Sequence, residues 1–180
     1  SYVLFCFLQM KTVLIQIFMK SFNTTIDSPF GNIVISASDI GVTGVKMIQS
    51  SQSENNRNEW SNKGAEQLRQ YFAKERTSFD LVYDFTGYTD FYKSVWKELL
   101  SIPYGLTCSY LDIAKALNNP KSVRAVGMAN GKNPVGIIIP CHRIIGADGS
   151  LTGYAQGLEM KKWLLEFEGA IQPEIQMSLF

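Results

Sequence analysis

The first half of the chain alternates between β-branched or aromatic residues and polar residues, as antiparallel strands do. Such segments occupy residues 21–48 and are separated by turn-forming residues at 28–32 and 39–41. Gly, Pro, Asn, Asp and Ser favour tight turns, so two turns within this run predict a three-stranded antiparallel meander. The polar stretch that follows, 49–62, predicts a loop.

One helix and one more extended segment complete this half. The apolar residues of 63–76 recur at helical spacing and predict an amphipathic helix. Strict alternation then predicts an extended segment that contains Phe79, Leu81, Tyr83 and Phe85. Gly87 marks the joint to the second half.

The second half has helical periodicity with clear start signals. Thr89 is placed to cap a helix that extends to about Ser101, and Ser109 with Asp112 has the spacing of a capping box for a shorter helix. A third helix is predicted over 121–129, where a proline can precede the first turn. Two short helices joined by a brief turn fit a helix-turn-helix, although many helical hairpins share this pattern.

An apolar run near the end of the chain leads directly into candidate chemistry. The three isoleucines of 137–139 predict a buried strand and are followed, after one proline, by Cys141 and His142. A last helix is predicted over 158–167, with Gly169 just past its end.

The net charge of the chain is only +1, but it is unevenly distributed. Residues 91–143 contain seven Lys or Arg and two Asp or Glu, a local charge of +5 that leaves −4 for the rest. A basic face can dock a polyanion such as DNA. Charge alone is equally compatible with an ordinary solvated face.

Cysteine and histidine are scarce. The chain has three cysteines and one histidine, which are Cys6, Cys108, Cys141 and His142. A structural zinc site requires about four Cys or His ligands, so no metal site is predicted. Unpaired cysteines without a C-x-x-C motif are typical of a reducing compartment, which predicts a cytoplasmic protein.

Residues 1–18 are nearly all apolar but are interrupted by Lys11. A membrane-spanning helix requires about 20 apolar residues, and a secretory signal requires a basic start and a small-residue cleavage site, so neither is predicted. A strand around 3–7 is one interpretation. The other, which we favour, is that the native chain begins at Met10 or Met19.

Cys141 and His142 together can support nucleophilic chemistry. A thiol attacks only as thiolate, which requires a base or a positive field nearby. Adjacent residues of an extended chain point to opposite sides, so a bridging water is favoured over direct contact unless the chain turns. These two residues alone are more typical of a buried structural cysteine beside a satisfied histidine.

Further segments change this interpretation, because together they resemble the O6-alkylguanine-DNA alkyltransferase family. Order and spacing are similar across about 91–169, and more loosely at 27–31. The matching segments are Ile102-Pro103-Tyr104-Gly105 with Ser109-Tyr110, Arg124-Ala125-Val126-Gly127, Asn133-Pro134 with Pro140-Cys141-His142-Arg143, Gly153-Tyr154, and the run from Lys162 to Gly169.

The resemblance implies an α+β fold in two domains. The first, 19–88, would be a small antiparallel sheet with a helix, of the ribonuclease H-like type. The second, 89–169, would be a helical domain with a helix-turn-helix that binds DNA and accepts the alkyl group. Residues 170–180 would form a tail.

The resemblance also implies a reaction. A methyl or larger alkyl group would pass from O6 of guanine, and from O4 of thymine, to Cys141, irreversibly and once per molecule, with no cofactor because the cysteine is itself the acceptor. His142 would act through a water and be oriented by Glu168. Tyr110 would donate a proton or a hydrogen bond to the leaving base, and Asn133 would orient the cysteine loop.

Double-stranded DNA is the partner that the resemblance implies. The alkylated base would be flipped out of the duplex, and Arg124 would fill the gap from a recognition helix in the minor groove. Ala125 and Ala129 would let this helix approach closely. Further DNA contacts are implied for Lys121, Ser122 and Arg143.

The alkyl and base pocket would be lined by Ile144, Gly153, Tyr154 and Ala155. Two residues depart from the family's pattern: Gly136 stands where some relatives have proline or alanine, and Gln156 replaces a glycine. We expect Gln156 to narrow the pocket.

The last five residues, 176–180, resemble the short peptide by which repair proteins bind the bacterial sliding clamp. A glutamine followed by hydrophobic residues can fill an apolar groove as an extended peptide. A frayed apolar end explains the same residues equally well. The protein is otherwise expected to be a monomer, associated with the nucleoid if bacterial.

Three other functions remain open from the residues. A lesion binder would flip the base without accepting the alkyl group, but such proteins lack the cysteine. A sequence-specific regulator would need side chains that reach base edges, which the small residues of 125–129 do not supply. A cysteine hydrolase would need an oxyanion hole and multiple turnovers.

Overall fold

The predicted meander is present in the computed structural model, which describes residues 20–48 and 56–172. Strands β1 (Phe22–Ser28), β2 (Gly31–Ala37) and β3 (Val42–Ile48) form an antiparallel sheet in that order. The Ser28 hydroxyl donates to the Gly31 carbonyl across the first turn at 2.6 Å. Gly31 has a φ of 98°, a value that favours glycine. The interpretations of 1–18 and of 176–180 concern residues outside the described part.

Helix α1 (Glu59–Phe72) packs on one face of this sheet. It begins four residues earlier than predicted, because Asn58 and Ser61 form a capping box. It ends before the predicted residue 76, since Lys74 has a φ of 61°. Gly64 brings helix and sheet together, because a Cβ there would be 2.9 Å from an Ile35 methyl carbon.

The predicted extended segment after α1 joins the sheet through an isolated bridge rather than as a full strand. Tyr83 forms an isolated parallel bridge with Val42, whose backbone N–H donates to the Val82 carbonyl at 2.8 Å. Gly41 permits this approach, because a Cβ there would be 2.6 Å from the Val82 carbonyl oxygen.

Between residues 89 and 172 the chain forms four α-helices: α2 (Asp90–Leu100), α3 (Tyr110–Ala116), α4 (Val123–Gly131) and α5 (Leu158–Phe167). The predicted caps are confirmed, since Thr89 accepts from the Tyr92 N–H and Ser109 forms a capping box with Asp112. Helix α4 is preceded by a 3₁₀ turn, Pro120–Ser122, so the α3–α4 pair has the expected helix-turn-helix order.

The predicted isoleucine strand is wrong in conformation and right in burial. Ile137, Ile138 and Ile139 are at most 2% exposed, but they form a turn in which Ile137 has a φ of 72°. Continuous apolar runs have no periodicity that separates a strand from a buried turn. Two short parallel strands, β4 (Cys108–Ser109) and β5 (Ile144–Ile145), attach the chain after the cysteine to the start of α3.

Within residues 20–48 and 56–172, no helix is long and apolar enough to cross a membrane. In the same ranges, no group of three or more His, Cys, Asp or Glu side chains is arranged to hold a metal ion.

Candidate active site

Cys141 begins a 3₁₀ turn, Cys141–Arg143, and is 5% exposed. The chain therefore turns at the position where an extended conformation would have separated Cys141 from His142. Asn133 holds the approach to this turn: its Nδ2 donates to the Ile139 carbonyl at 2.8 Å, and its Oδ1 accepts from the Val135 N–H at 3.0 Å. The structure thus places Asn133 against the cysteine loop.

The Cys141 thiol is protonated at rest. Burial raises its pKa, and this effect outweighs a hydrogen bond with the Asn133 side chain, the positive charge of Lys161 and the backbone N–H groups of Cys141 and His142. A buried thiol becomes a nucleophile only when another group accepts its proton.

Glu168 lies at the end of α5 and folds back onto the site as expected. A Schellman motif ends the helix, in which Gly169 and Ala170 donate to the carbonyls of Glu166 and Leu165. Gly169 has a φ of 75°, which glycine adopts without strain. The carboxylate is thereby turned toward His142, whose Nε2 lies 2.9 Å from its Oε1.

The histidine is neutral and its tautomer is determined by this contact. Burial lowers the pKa of His142 more than Glu168 raises it. Burial also acts to raise the pKa of Glu168, but hydrogen bonds from His142 and Arg143 outweigh it and lower that pKa to about 2. An ionised carboxylate only accepts, so the proton of His142 is on Nε2 and Nδ1 carries a lone pair. Within the described chain, Nδ1 is buried and has no hydrogen-bond partner.

Arg143 was expected at the DNA surface, and the structure corrects this. Its side chain is 6% exposed and its Nε and Nη2 donate to the two oxygens of Glu168 at 2.8 and 3.0 Å. Its Nη1 donates to the Ile102 carbonyl at 2.6 Å. A basic residue in an active-site motif can equally serve an internal carboxylate, and burial beside Glu168 decides between the two roles.

Two buried residues that complete this array were missed from the sequence. The Tyr71 hydroxyl, from α1, donates to Glu168 Oε1 at 2.7 Å across 97 positions of sequence. Lys161 is 0% exposed, and its Nζ donates to the carbonyls of Ile144 and Thr152. The position of Lys161 between Met160 and Leu164, on the apolar face of α5, could have indicated from the sequence that this lysine is buried. No local pattern indicates the role of Tyr71.

Tyr110 lies against Thr152 and Gly153, and Tyr154 lies within electrostatic range of Cys141. The Tyr110 hydroxyl donates to the Thr152 carbonyl at 3.3 Å, and a Cβ at Gly153 would be 3.5 Å from that hydroxyl. The pKa of Tyr154 is raised well above its ordinary value by burial, and further by the negative charges of the Cys141 thiolate, when it forms, and of Glu168. Its hydroxyl is buried without a hydrogen-bond partner among the described residues.

The other two expected pocket residues differ in position. Ala155 is exposed. Ile144 is 0% exposed and belongs to the core, so it is corrected from a pocket-lining residue to a supporting one. Strand β5 directs its side chain inward while its carbonyl accepts from Lys161.

The two departures from the family's pattern, Gly136 and Gln156, are neighbours. A Cβ at Gly136 would be 3.3 Å from Gln156 Nε2. Gln156 also lines a cavity of about 500 Å³ together with the β1–β2 turn and the end of β3. The glycine thus leaves room for the larger glutamine side chain.

The residues expected to contact DNA differ in their exposure. Lys121 and Arg124 are exposed, while Ser122 and Ala125 are half-buried. Ala129 is 0% exposed and accepts from Trp96 Nε1 through its carbonyl at 2.8 Å, so it packs α4 against α2 and cannot face a duplex. Residues 125 and 129 lie one turn apart on the same side of the helix, but position 129 is nearer to the buried Val126, so spacing alone did not separate their environments.

A helix-turn-helix beside a buried cysteine, a neutral histidine and an ionised glutamate defines a DNA-binding protein with a reactive thiol. Two family profiles match the chain: the ribonuclease-like domain of 6-O-methylguanine DNA methyltransferase over residues 22–85, and its DNA-binding domain over residues 90–170. The chain belongs to the 6-O-methylguanine DNA methyltransferase family. The resemblance noted in the motifs and the α+β fold class are both confirmed.

Relatives with established names support the same family. The methylated-DNA–protein-cysteine methyltransferase of Mycobacterium tuberculosis is 46% identical over 162 residues, which cover 87% of this chain and 96% of that protein. The protein of the same name from Methanosarcina acetivorans is 46% identical over 150 residues, or 80% of this chain and 96% of the relative. A crystal structure of the M. tuberculosis OGT in complex with DNA superposes with a TM-score of 0.73 at 45% identity, over 83% of this chain and 93% of that one.

Proposed function

We propose that this protein repairs alkylated DNA directly, by moving the alkyl group from O6 of guanine to the sulfur of Cys141. The observation that carries the proposal is the buried hydrogen bond between His142 Nε2 and Glu168 Oε1, one residue from a buried thiol. This pair leaves Nδ1, the second imidazole nitrogen, free to accept a proton from the Cys141 thiol, which must lose its proton to become a nucleophile.

The proton moves from the thiol to His142 Nδ1 through a water. Glu168 stabilises the imidazolium that forms, because its charge and hydrogen bond favour the protonated ring. The Cys141 thiolate then attacks the alkyl carbon, so a C–S bond forms as the bond from carbon to O6 breaks. The electron pair remains on the guanine, to which Tyr110 donates a proton. Water returns a proton to the Tyr110 phenolate and takes the thiol proton from His142, so the net change is one proton moved from the thiol to the guanine.

The product is a thioether, which lies outside the reversible thiol chemistry of the cell. Each molecule therefore acts once, and the cysteine is consumed as acceptor without a cofactor. The same attack accommodates O4-alkylthymine, whose alkyl carbon is bonded in the same way to an exocyclic oxygen.

Access to the lesion requires that the base leave the duplex, which costs a few kcal/mol of unstacking. Exposed Arg124 fills the gap, and exposed Lys121 contacts phosphate from the turn before α4. Half-buried Tyr110, at the start of α3, packs against α4, with its ring 3.8 Å from the position of a Cβ at Gly127. This arrangement requires one copy of the chain, and we propose a cytoplasmic monomer.

Intact-mass spectrometry tests the reaction. The protein is mixed with a duplex that carries one O6-methylguanine, and we expect a gain of one methyl group per molecule, absent from Cys141→Ala. No gain with binding retained would favour a lesion binder. Growth of methylated product beyond the amount of protein would contradict the single-turnover proposal, and so would methylation at another residue.

The C-terminal residues 176–180 are proposed to bind a sliding clamp as an extended peptide. Their sequence, Gln-Met-Ser-Leu-Phe, places hydrophobic residues after a glutamine. Binding to purified bacterial clamp is measured by surface plasmon resonance for the full chain and for a chain that ends at residue 175. Equal binding by the two would overturn this proposal without affecting the repair reaction.

A further inference from the structure

We infer that Tyr71 is a positioning residue of the alkyl-transfer site: its hydroxyl holds Glu168 in place, and Glu168 in turn holds His142. The inference rests on the proposed function. It assigns part of the active site to α1, although the cysteine, histidine and glutamate all belong to the second half of the chain.

Tyr71 bonds the same carboxylate oxygen of Glu168 that bonds His142. Glu168 Oε1 accepts from Tyr71 Oη at 2.7 Å, from His142 Nε2 at 2.9 Å and from Arg143 Nη2 at 3.0 Å. Tyr71 and His142 are 0% exposed and Glu168 is 5% exposed. Water does not reach these groups to replace a lost donor, so each bond on this oxygen affects the other two.

The tyrosine remains a donor throughout the useful pH range. Burial raises the pKa of Tyr71 well above its ordinary value, and the Glu168 charge raises it further. Its ring packs against Phe72, Phe79, Tyr104 and Phe167, at centroid distances between 5.4 and 6.1 Å. Ring and hydroxyl thus have separable tasks: the ring fills the space between α1 and α5, and the hydroxyl bonds the carboxylate.

Removal of the hydroxyl alone has a defined electrostatic consequence. With one donor fewer, Glu168 Oε1 carries more negative charge toward His142 Nε2, which favours the imidazolium. The pKa of His142 should therefore rise, so a larger fraction of the histidine is protonated at a given pH. A protonated histidine cannot accept the thiol proton, and transfer slows most at the acid end.

Tyr71→Phe preserves the ring and tests this directly. The chain contains one histidine, so imidazole ¹⁵N signals report His142 without ambiguity. We expect the titration midpoint of His142 to rise by about half to one pH unit, and single-turnover transfer to slow about three- to tenfold at pH values below the wild-type midpoint, where the neutral fraction of the histidine falls by that factor.

Tyr83→Phe is the matched control. It removes another buried hydroxyl from the same half of the chain, one that bonds no described residue, and it leaves the stacking on Phe85 intact. It should leave the His142 midpoint and the transfer rate unchanged.

The outcomes separate the inference from the proposed function. An unchanged or lowered His142 midpoint in Tyr71→Phe overturns the positioning role, even if the variant is less stable. If the His142 midpoint rises in Tyr71→Phe but the wild-type protein itself transfers no methyl group, the proposed function is overturned while the Tyr71–Glu168–His142 coupling stands. Loss of stability alone, without a shift, assigns Tyr71 to packing.

Discussion

Arg143 and Glu168 form a fork-to-fork ion pair inside the protein, with the guanidinium Nε and Nη2 on the two carboxylate oxygens at 2.8 and 3.0 Å. Bidentate geometry adds direction to charge attraction. Because the same carboxylate accepts from His142, the pair that stabilises the fold also orients the proposed base. Loss of the Arg143–Glu168 ion pair should therefore lower both the stability of the protein and the rate of alkyl transfer.

Acid should destabilise the protein through Glu168. Its pKa is lowered from 4.5 to about 2, so its contribution is present above pH 4.5 and is lost as pH falls through 2. His142 acts in the same direction below pH 6.5, because its lowered pKa makes the unfolded chain the better proton acceptor. We expect a loss of a few kcal/mol in the free energy of unfolding, measured by urea denaturation from pH 7 to pH 2.5.

Two glutamine variants check which carboxylate is responsible. Glu168→Gln should lower stability by about 3–5 kcal/mol at pH 7, since it leaves Arg143 buried without a counter-charge, and should flatten the acid profile. Glu66→Gln, which changes an exposed carboxylate paired with Arg69 on the surface, should retain the wild-type profile. A wild-type profile in Glu168→Gln would contradict the assignment.

Lys161→Met should lower the stability of the fold and the reactivity of the Cys141 thiol. It leaves the carbonyls of Ile144 and Thr152 without this donor, at about 1–3 kcal/mol for each one left unsatisfied. It also removes a positive charge that lowers the pKa of Cys141, so alkyl transfer should slow. Single-turnover rates and urea denaturation measure the two effects. Lys97→Met, at an exposed position on α2, serves as the control and should change neither.

Arg124→Ala should separate DNA handling from chemistry. Exposed on α4, this residue lies outside the buried array around Cys141. We expect transfer from a duplex to slow roughly tenfold or more, and transfer from free O6-methylguanine base to remain unchanged. A quenched-flow comparison of the two substrates makes the measurement. Equal slowing on both would place Arg124 in the reaction itself.

Gly136 and Gln156 should behave as a coupled pair. Gly136→Ala places a Cβ 3.3 Å from Gln156 Nε2, so we expect a loss of about 1 kcal/mol that Gln156→Gly relieves. A double-mutant cycle by thermal or urea unfolding gives the coupling energy. Additive effects would show that the glutamine side chain moves away at no cost.

Local signals explain most of what could be predicted about the elements. The cap at Thr89, the capping box of Ser109 and Asp112, and the helix stop at Gly169 each join a residue to backbone within five positions. Such contacts form wherever the rest of the chain lies, so sequence spacing is enough to predict them. The family motifs likewise identified the cysteine and its histidine without coordinates.

Burial and long-range contacts were determined only by tertiary structure. Whether Arg143 faces DNA or Glu168, whether Ala129 faces a duplex or Trp96, and whether residues 137–139 extend or turn all depend on what packs against them. The contact of Tyr71 with Glu168 spans 97 positions, and no periodicity or cap encodes it. The sequence by itself determined the caps and most of the helices and strands, because these depend on neighbours in the chain, and its motifs identified Cys141 and His142. The fold determined which charges are removed from water, and therefore which groups are protonated at the site.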